Sequence, residues 1–518
     1  MSVRSRPGTI LTMNTLAFTA CFAVWMMNGV LITFLVENKV FAFDQVQIGW
    51  LLGIPVLTGS LLRLPVGMAT DRWGGRVVFP VVMVAAALGA LALSYADGYG
   101  GFLIGSLGFG LSGTGFAVGI AYTSVWFKKE HQGTALGVFG VGNAGSALTS
   151  MGAPWLLKWM TDGGTQLDNW RMLPRLYAGV LIGMTLLFLL LTENKKVEGA
   201  RRRTLGEQLR PLKQLRVWRF GLYYFLVFGG FVALAQWLIP YYVSVYGASL
   251  ATAGLLAAVF SLPSGLIRAL GGWMSDKLGA RTTMYWVLGA CVLGSLLLIV
   301  PRMEITSPGA SVMARGKGVV TAVSPEAITV GTTVYQLKKA PPQRSVDDDL
   351  IWPHLETWQS PAVQVGDPVV RKQLLARGVT HIVFQANIWV FTALAFLVGI
   401  AMGIGKAAVY KHIPEYFPRD VGVVGGLVGV IGGLGGFVGP ILFGYLLRGT
   451  GLWTSCWMFF AALSLVCLIW MHLVIRRMVR RRTPEVADHM EHEQAHEDRQ
   501  QSAASPRLSG APQLGGQS

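Results

Sequence analysis

Charge is scarce in this chain of 518 residues: Asp, Glu, Lys and Arg make up 13% of it against 53% hydrophobic residues, and mean hydropathy is +0.50. Soluble globular domains carry about 25% charged residues, so that class is excluded and a membrane-embedded protein is expected. Carboxylates are the scarcer sign, 26 against 43 Lys and Arg, and none lies well inside a long apolar run. Cysteine is nearly absent. Cys21, Cys291, Cys456 and Cys467 all fall in apolar runs without metal-ligand spacing, which argues against a disulfide framework or zinc site and leaves helix packing as their role. No Ser/His/Asp or metal-ligand set stands at depth, so neither an enzyme nor a cofactor is expected.

Apolar runs of about 20 residues, the length that crosses a ~30 Å hydrocarbon core, fall near 15–36, 46–70, 77–95, 100–125, 133–158, 174–193, 218–245, 250–274, 282–301, 385–413, 421–446 and 451–475. Twelve spans are therefore predicted. The first follows Arg4 and Arg6 but is too long for a secretory signal and lacks a small-residue cleavage site, so it reads as a retained helix. Basic residues crowd into "DRWGGR", "KKEHQ", "ENKKVEGARRRTLGEQLRPLKQLR", "SDKLGAR" and "RRMVRRR". The positive-inside rule places these loops, and both termini, in the cytoplasm. The net charge of +17 then reflects topology and contact with membrane lipid rather than nucleic-acid binding.

The chain repeats itself. "RLPVGMATDRWGGR" follows span two and "RALGGWMSDKLGAR" follows span eight, each with an arginine, Arg63 or Arg268, eight residues before an aspartate. Each then ends in Gly-x-x-x-Asp-(Arg/Lys)-x-Gly-x-Arg: Gly67, Asp71, Arg72, Gly74 and Arg76 in one half, Gly272, Asp276, Lys277, Gly279 and Arg281 in the other. A second duplicated block, rich in glycine, runs from Gly108 to Pro154 and again from Gly403 to Pro440. Small residues let helix backbones approach closely in a bilayer, and broken helices at binding sites tolerate them.

Arg63 and Arg268 lie roughly 12 Å from the loop aspartates at ~1.5 Å per residue, near the midplane of a ~30 Å core. An arginine there costs ~2.5–3.5 kcal/mol on insertion scales, so it faces a cavity or a partner. Backbone carbonyls are one such partner; a carboxylate is not available at that depth. A small anion supplies the missing charge, and the planar guanidinium fork suits an oxoanion. By the same repeat, Phe116 stands eleven residues before Phe127 and Lys406 eleven before Phe417, which puts Phe116 and Lys406 at equivalent depths.

The paired loop motifs resemble those of the major facilitator superfamily, and the glycine blocks resemble the paired nitrate signatures of its nitrate/nitrite porter (NarK-type) family. The resemblance implies an all-α polytopic major facilitator fold, twelve transmembrane helices in two six-helix halves, moving nitrate and nitrite. It implies Arg63 and Arg268 as the substrate pair, Phe116 as a ring on the substrate plane, Tyr224 and Phe228 of "YFLVFG" as hydroxyl donor and facing ring, and Asn143 of "GVGNAG" as a polar contact. The signature glycines are Gly137, Gly142, Gly145, Gly429, Gly433 and Gly436. Lys406 departs from family members whose pocket has only the two arginines. A third cation opens proton coupling beside nitrate/nitrite exchange, since buried lysines shift pKa readily. A porter for another small or organic anion is the alternative, because the superfamily fold hosts many substrates. Lys411 and Glu415 are expected at a gate or interface.

The expected organisation is a six-helix bundle at 1–200, a basic linker at 201–217, helices seven to nine at 218–301, a β-rich extracytoplasmic insertion at 302–384, helices ten to twelve at 385–475 and a disordered cytoplasmic tail at 476–518. In the insertion, "GKGVVTAVSPEAITVGTTVYQL" alternates with turn signals like a β-hairpin, and "VQVGDPVVRKQLL" adds a strand. In the tail, His489, His492 and His496 read as solvated rather than metal-bound. A bacterial inner-membrane protein that functions as a monomer is expected.

Overall fold

The computed structural model describes residues 6–195, 205–300, 303–340, 354–384, 387–417 and 421–482. The tail histidines lie outside the described residues, as does the side chain of Glu415. The chain forms two units, Met1–Ser464 and Leu465–Ser518. Its helices are α1 (Pro7–Glu37), α2 (Gln45–Trp73), α3 (Gly75–Leu93), α4 (Tyr99–Trp126), α5 (Lys129–Gly140 then Gly145–Met160), α6 (Leu167–Leu191), α7 (Leu215–Tyr246), α8 (Leu250–Leu266 then Arg268–Lys277), α9 (Ala280–Leu297), α10 (Ile388–Tyr416), α11 (Val421–Thr450) and α12 (Ser455–Arg482).

Each predicted span is thus helical, but among the described residues ten helices are long and apolar enough to cross a membrane, and α8 makes eleven if its two pieces count as one span. Among the described residues the twelve predicted spans correspond to the helices α1–α12; α5, which that test of length and apolarity leaves out, is rich in Gly, Ala, Ser, Thr and Asn between Gly133 and Ala153. The boundary at 475 is corrected: α12 runs to Arg482, because no Pro or Gly interrupts its basic end before Pro484.

Irregular turns gather at one level of the bundle. α2 is interrupted at Leu62 and α8 at Ile267, each immediately before its arginine. α4 tightens into a 3₁₀ turn at Gly110–Thr114, just before Phe116, and α5 does so at Val141–Ala144, around Asn143. α7 widens into a π turn at Phe225–Gly229. Such turns expose backbone groups and re-aim side chains, and they recur at functional sites.

The loop motifs are built alike in both halves. Gly74 adopts φ 85°, ψ 153° and Gly279 φ 84°, ψ 142°, a backbone that only glycine takes without strain. Beyond that turn the halves differ: Arg76 donates to the Leu189 carbonyl at the end of α6 (2.8 Å), whereas Arg281 donates to the Tyr416 hydroxyl of α10 (2.7 Å) and Asp276 pairs with Lys411 (2.5 Å).

Away from the motifs the halves touch backbone to backbone. A Cβ on Gly49 would meet the Pro440 carbonyl at 2.4 Å, one on Gly53 the Phe437 carbonyl at 2.5 Å, and one on Gly254 the Ser150 carbonyl at 2.1 Å. Glycines of α2 and α8, outside the duplicated blocks, therefore let α2 close on α11 and α8 on α5, against carbonyls that belong to those blocks.

Between α9 and α10 stand seven strands: β1 (Met303–Met313), β2 (Gly318–Val323), β3 (Ala327–Val330), β4 (Thr333–Gln336), β5 (His354–Pro361), β6 (Pro368–Val369) and β7 (Leu374–Phe384). They form two antiparallel sheets, ordered β1-β7-β5 and β4-β3-β2-β6. Val320, Ile328, Val330, Tyr335 and Leu375 fill a core of the module's own. The expected hairpin forms as β2 to β4 and the expected second strand as the short β6, whereas β1, β5 and nearly all of β7 were missed; in β1, Pro308 and Gly309 read like a turn, and Pro308 is accommodated on an edge strand, where a missing N–H costs no ladder bond.

Candidate anion site

Arg63 begins the second piece of α2 and is 4% exposed. Its Nε donates to the Gly113 carbonyl at 3.4 Å, on the 3₁₀ turn of α4, and its Nη1 to the Gly429 carbonyl at 3.1 Å, on α11 of the other half. Its Nη2 is buried without a hydrogen-bond partner among the described residues. Three rings surround the guanidinium, with centroids 5.4 Å (Trp25), 5.3 Å (Phe116) and 5.1 Å (Phe228) from its central carbon. Carbonyl anchoring, one of the two roles open from sequence, is therefore realised for part of this side chain, and one edge of the fork stays available.

Arg268 is half-buried, with its guanidinium carbon 5.7 Å from the Phe116 ring and 5.8 Å from the Tyr410 ring. Both arginines thus flank the ring of Phe116. Phe228 lies nearly parallel to Phe116 (6.4 Å, 24°) and to Tyr224 (5.0 Å, 7°), and Tyr224 meets Tyr410 edge-on at 5.0 Å. Cation–π contact with these rings holds the guanidiniums in plane at small entropic cost. The ion pairs among the described residues, Arg171 with Asp97, Lys339 with Glu326 and Lys411 with Asp276, leave both arginines without a carboxylate.

Asn143 is buried beside Gly265 of α8; its Nδ2 donates to the Gly140 carbonyl at 2.9 Å, and its Oδ1 has no partner among the described residues. A Cβ on Gly140 would stand 3.6 Å from Arg268 Cδ, so Asn143 belongs to the Arg268 side. Lys406 is fully buried, its Nζ bonded to Ser264 Oγ at 3.1 Å and 3.1 Å from the centroid of the Phe231 ring. Ser264 stands one turn before Arg268 on α8, so Lys406 leans toward the same arginine.

The signature glycines divide. Gly142, Gly145, Gly433 and Gly436 each meet atoms closer than 3 Å at a Cβ position and Gly429 meets the Tyr410 hydroxyl at 3.0 Å, while Gly137 opens onto free space, as do Gly67 and Gly272 of the loop motifs. Asp71 stays near the α2 end, Arg72 lies over Trp73 and Lys277 over Trp273. Sequence reasoning missed Tyr410, Trp25, Gly113 and Ser264. Tyr410 was within reach, since it lies one helical turn from Lys406; Trp25 and Gly113 carry no repeat signal and become visible only through packing.

The profile of the Major Facilitator Superfamily matches residues 14–338 and 374–509. The chain is 37% identical over 93% of its length, and 95% of the relative's, to a Thermus thermophilus protein named as a probable nitrate/nitrite antiporter NarK1. It is 25% identical over 89% of its length, and 94% of the relative's, to the nitrite extrusion protein of Bacillus subtilis. Among solved structures, a bacterial homologue of the human lysosomal transporter Spinster superposes with TM-score 0.59 at 13% identity, covering 90% of this chain and 97% of that one. With the duplicated motifs, the paired arginines and these likenesses together, the chain belongs to the nitrate/nitrite porter family of the major facilitator superfamily.

Proposed function

We propose that this protein carries nitrate and nitrite across the bacterial inner membrane by alternating access, with the anion held between Arg63 and Arg268 against the Phe116 ring. The observation that carries the reading is the pair of deep guanidiniums, one from each half, flanking one ring with no carboxylate paired to them among the described residues. A planar oxoanion accepts from the free edge of Arg63 and from Arg268 while its face lies on an aromatic ring. Tyr224 and Asn143 are the polar neighbours that would complete its shell. Both termini and the loop motifs face the cytoplasm in this reading, and the β-module faces outward.

Moving one anion inward against ~100 mV costs about 2.3 kcal/mol, so uptake is coupled. Arg63, Arg268 and Lys406 together make an unloaded site repel itself, which supports exchange of one anion for another. A second reading, proton symport, is favoured by Lys406, the buried amine that leans toward Arg268. Nitrate uptake into proteoliposomes separates them. Uptake that requires internal nitrite means exchange; uptake driven by an imposed pH gradient into empty vesicles means symport. Undiminished uptake by Arg63→Lys and by Arg268→Lys would remove the clamp from either scheme.

A further inference from the structure

Gln236 of α7 is 1% exposed, and neither its Oε1 nor its Nε2 has a hydrogen-bond partner among the described residues. A buried polar group left unpaired carries its full desolvation cost, and a leucine or methionine would fill the same space without it, so packing alone does not account for the amide. Its place in the bundle does. A Cβ on Gly29 of α1 would stand 3.2 Å from Gln236 Cα and 3.4 Å from Gln236 Cβ, so the two halves pinch together at this side chain.

On α1, Trp25 and Thr33 stand four residues to either side of Gly29, and on α7, Val232 and Pro240 stand four to either side of Gln236. Such spacing keeps each set on one helix face. Toward the centre, Trp25 and Phe228 both lie against the Arg63 guanidinium, and Phe228 is about two turns, ~12 Å, from Gln236. In the other direction Thr33, Pro240, Trp237 and Trp453 line a cavity of about 300 Å³. Trp237 Nε1 is also buried without a partner among the described residues. Glu37 and Asp44 line the cavity too; both are exposed, so water reaches it and screens their charge. This is the end of the bundle opposite the loop motifs, where Gly49 and Gly53 at the start of α2 meet α11. The cavity, Gln236 and Arg63 thus follow one another along the facing sides of α1 and α7.

From this geometry we propose that Gln236 is a relay contact on the extracytoplasmic route of the anion. With this end sealed the amide is held in the pinch; when the halves part there, its N–H groups donate to an oxoanion moving between the cavity and the arginine pair. The relay rests on the carrier function proposed above. A neutral amide suits the task, because it offers two donors to a planar oxoanion without a charge that would hold it short of the arginines. Transit needs contacts strong enough to admit an ion and weak enough to release it.

Two readouts on the full-length protein test the relay. In Gln236→Leu the melting temperature should hold or rise, because the unpaired amide is gone, while kcat for nitrate uptake into proteoliposomes falls about tenfold or more, as loss of a hydrogen bond to a charged group implies. Gln236→Glu, of the same length but negative, should lose about 50-fold or more by like-charge repulsion. In Gln236→Cys, a membrane-impermeant methanethiosulfonate added from the extracytoplasmic side should modify the new thiol, and saturating nitrate should slow that modification severalfold; the parent, whose four cysteines are buried, is the blank. Uptake by Gln236→Leu within twofold of the parent overturns the relay. So does a Gln236→Cys thiol that is not modified from that side, or one that nitrate leaves unprotected, and this labelling decides alone if Gln236→Leu folds poorly. Failure of the carrier reading would look different: the parent itself would take up no nitrate, while Gln236→Cys would still be modified from that side.

Discussion

The two halves carry an arginine at the same repeat position and hold it differently. In the first half Arg63 is buried, ringed by three aromatics and bonded to carbonyls of α4 and α11. In the second half Arg268 is half-exposed and touches rings, with Lys406 beside it. The scaffolds diverge accordingly: α4 and α5 break into 3₁₀ turns, whereas their counterparts α10 and α11 run as unbroken helices. α8 bends by 45° at its break, and Pro263, five residues before Arg268, stands where the first half has Thr58. A proline removes a helical hydrogen bond and kinks the axis. Duplication has kept the charge and redistributed its support, so that one half offers a fixed wall and the other a hinged, more positive one.

The largest effects should expose that inequality. Arg63→Lys loses the planar fork and the carbonyl bridge between halves, and nitrate uptake by proteoliposomes should fall at least 100-fold. Arg268→Lys should cost less, about 10- to 50-fold, the lower part of the ~1.5–3 kcal/mol that a hydrogen bond to a charged group contributes. Equal losses would mean that the burial difference has no functional weight. Lys406→Met should change coupling more than affinity: under exchange the KM for nitrate shifts by less than about threefold while unloaded vesicles begin to leak anion; under symport the response to a pH gradient disappears.

A smaller contrast tests the packing behind each arginine. A Cβ on Gly433 would meet Ser60 Oγ at 2.2 Å and Arg63 Nη1 at 3.4 Å, whereas one on Gly140 makes only ordinary contact with Arg268. Overpacking costs ~1–3 kcal/mol, so Gly433→Ala should lower uptake about tenfold and Gly140→Ala less than twofold, each read against expression-normalised transport. The smallest effect is expected from replacing residues 303–384 with a short Gly/Ser turn, because the module has its own core; uptake within twofold of the parent is predicted.

The repeat made the arginines legible because insertion energetics leave few reasons for a deep guanidinium, and the same arithmetic matched Phe116 with Lys406. The turns that aim these groups were less legible. Nothing in "VGNA" announces a 3₁₀ segment, and the π turn at Phe225–Gly229 follows from α7 lying backbone to backbone on α11, where a Cβ on Gly229 would meet the Gly432 carbonyl at 2.4 Å. Arg63 bonding Gly429, far along the chain, is a tertiary fact that no local pattern carries. Tyr410 is the case between, visible by helical spacing from Lys406 and overlooked because tyrosine in an apolar run reads as packing.

The pairing of Met303 with Phe384 brings the two ends of the β-module side by side where they join α9 and α10. A major facilitator protein without such an appendage presents little outside its detergent belt for single-particle images to be aligned on. Here the chain carries a folded module with its own core and with its first and last strands paired, which gives images of this porter a feature to align on.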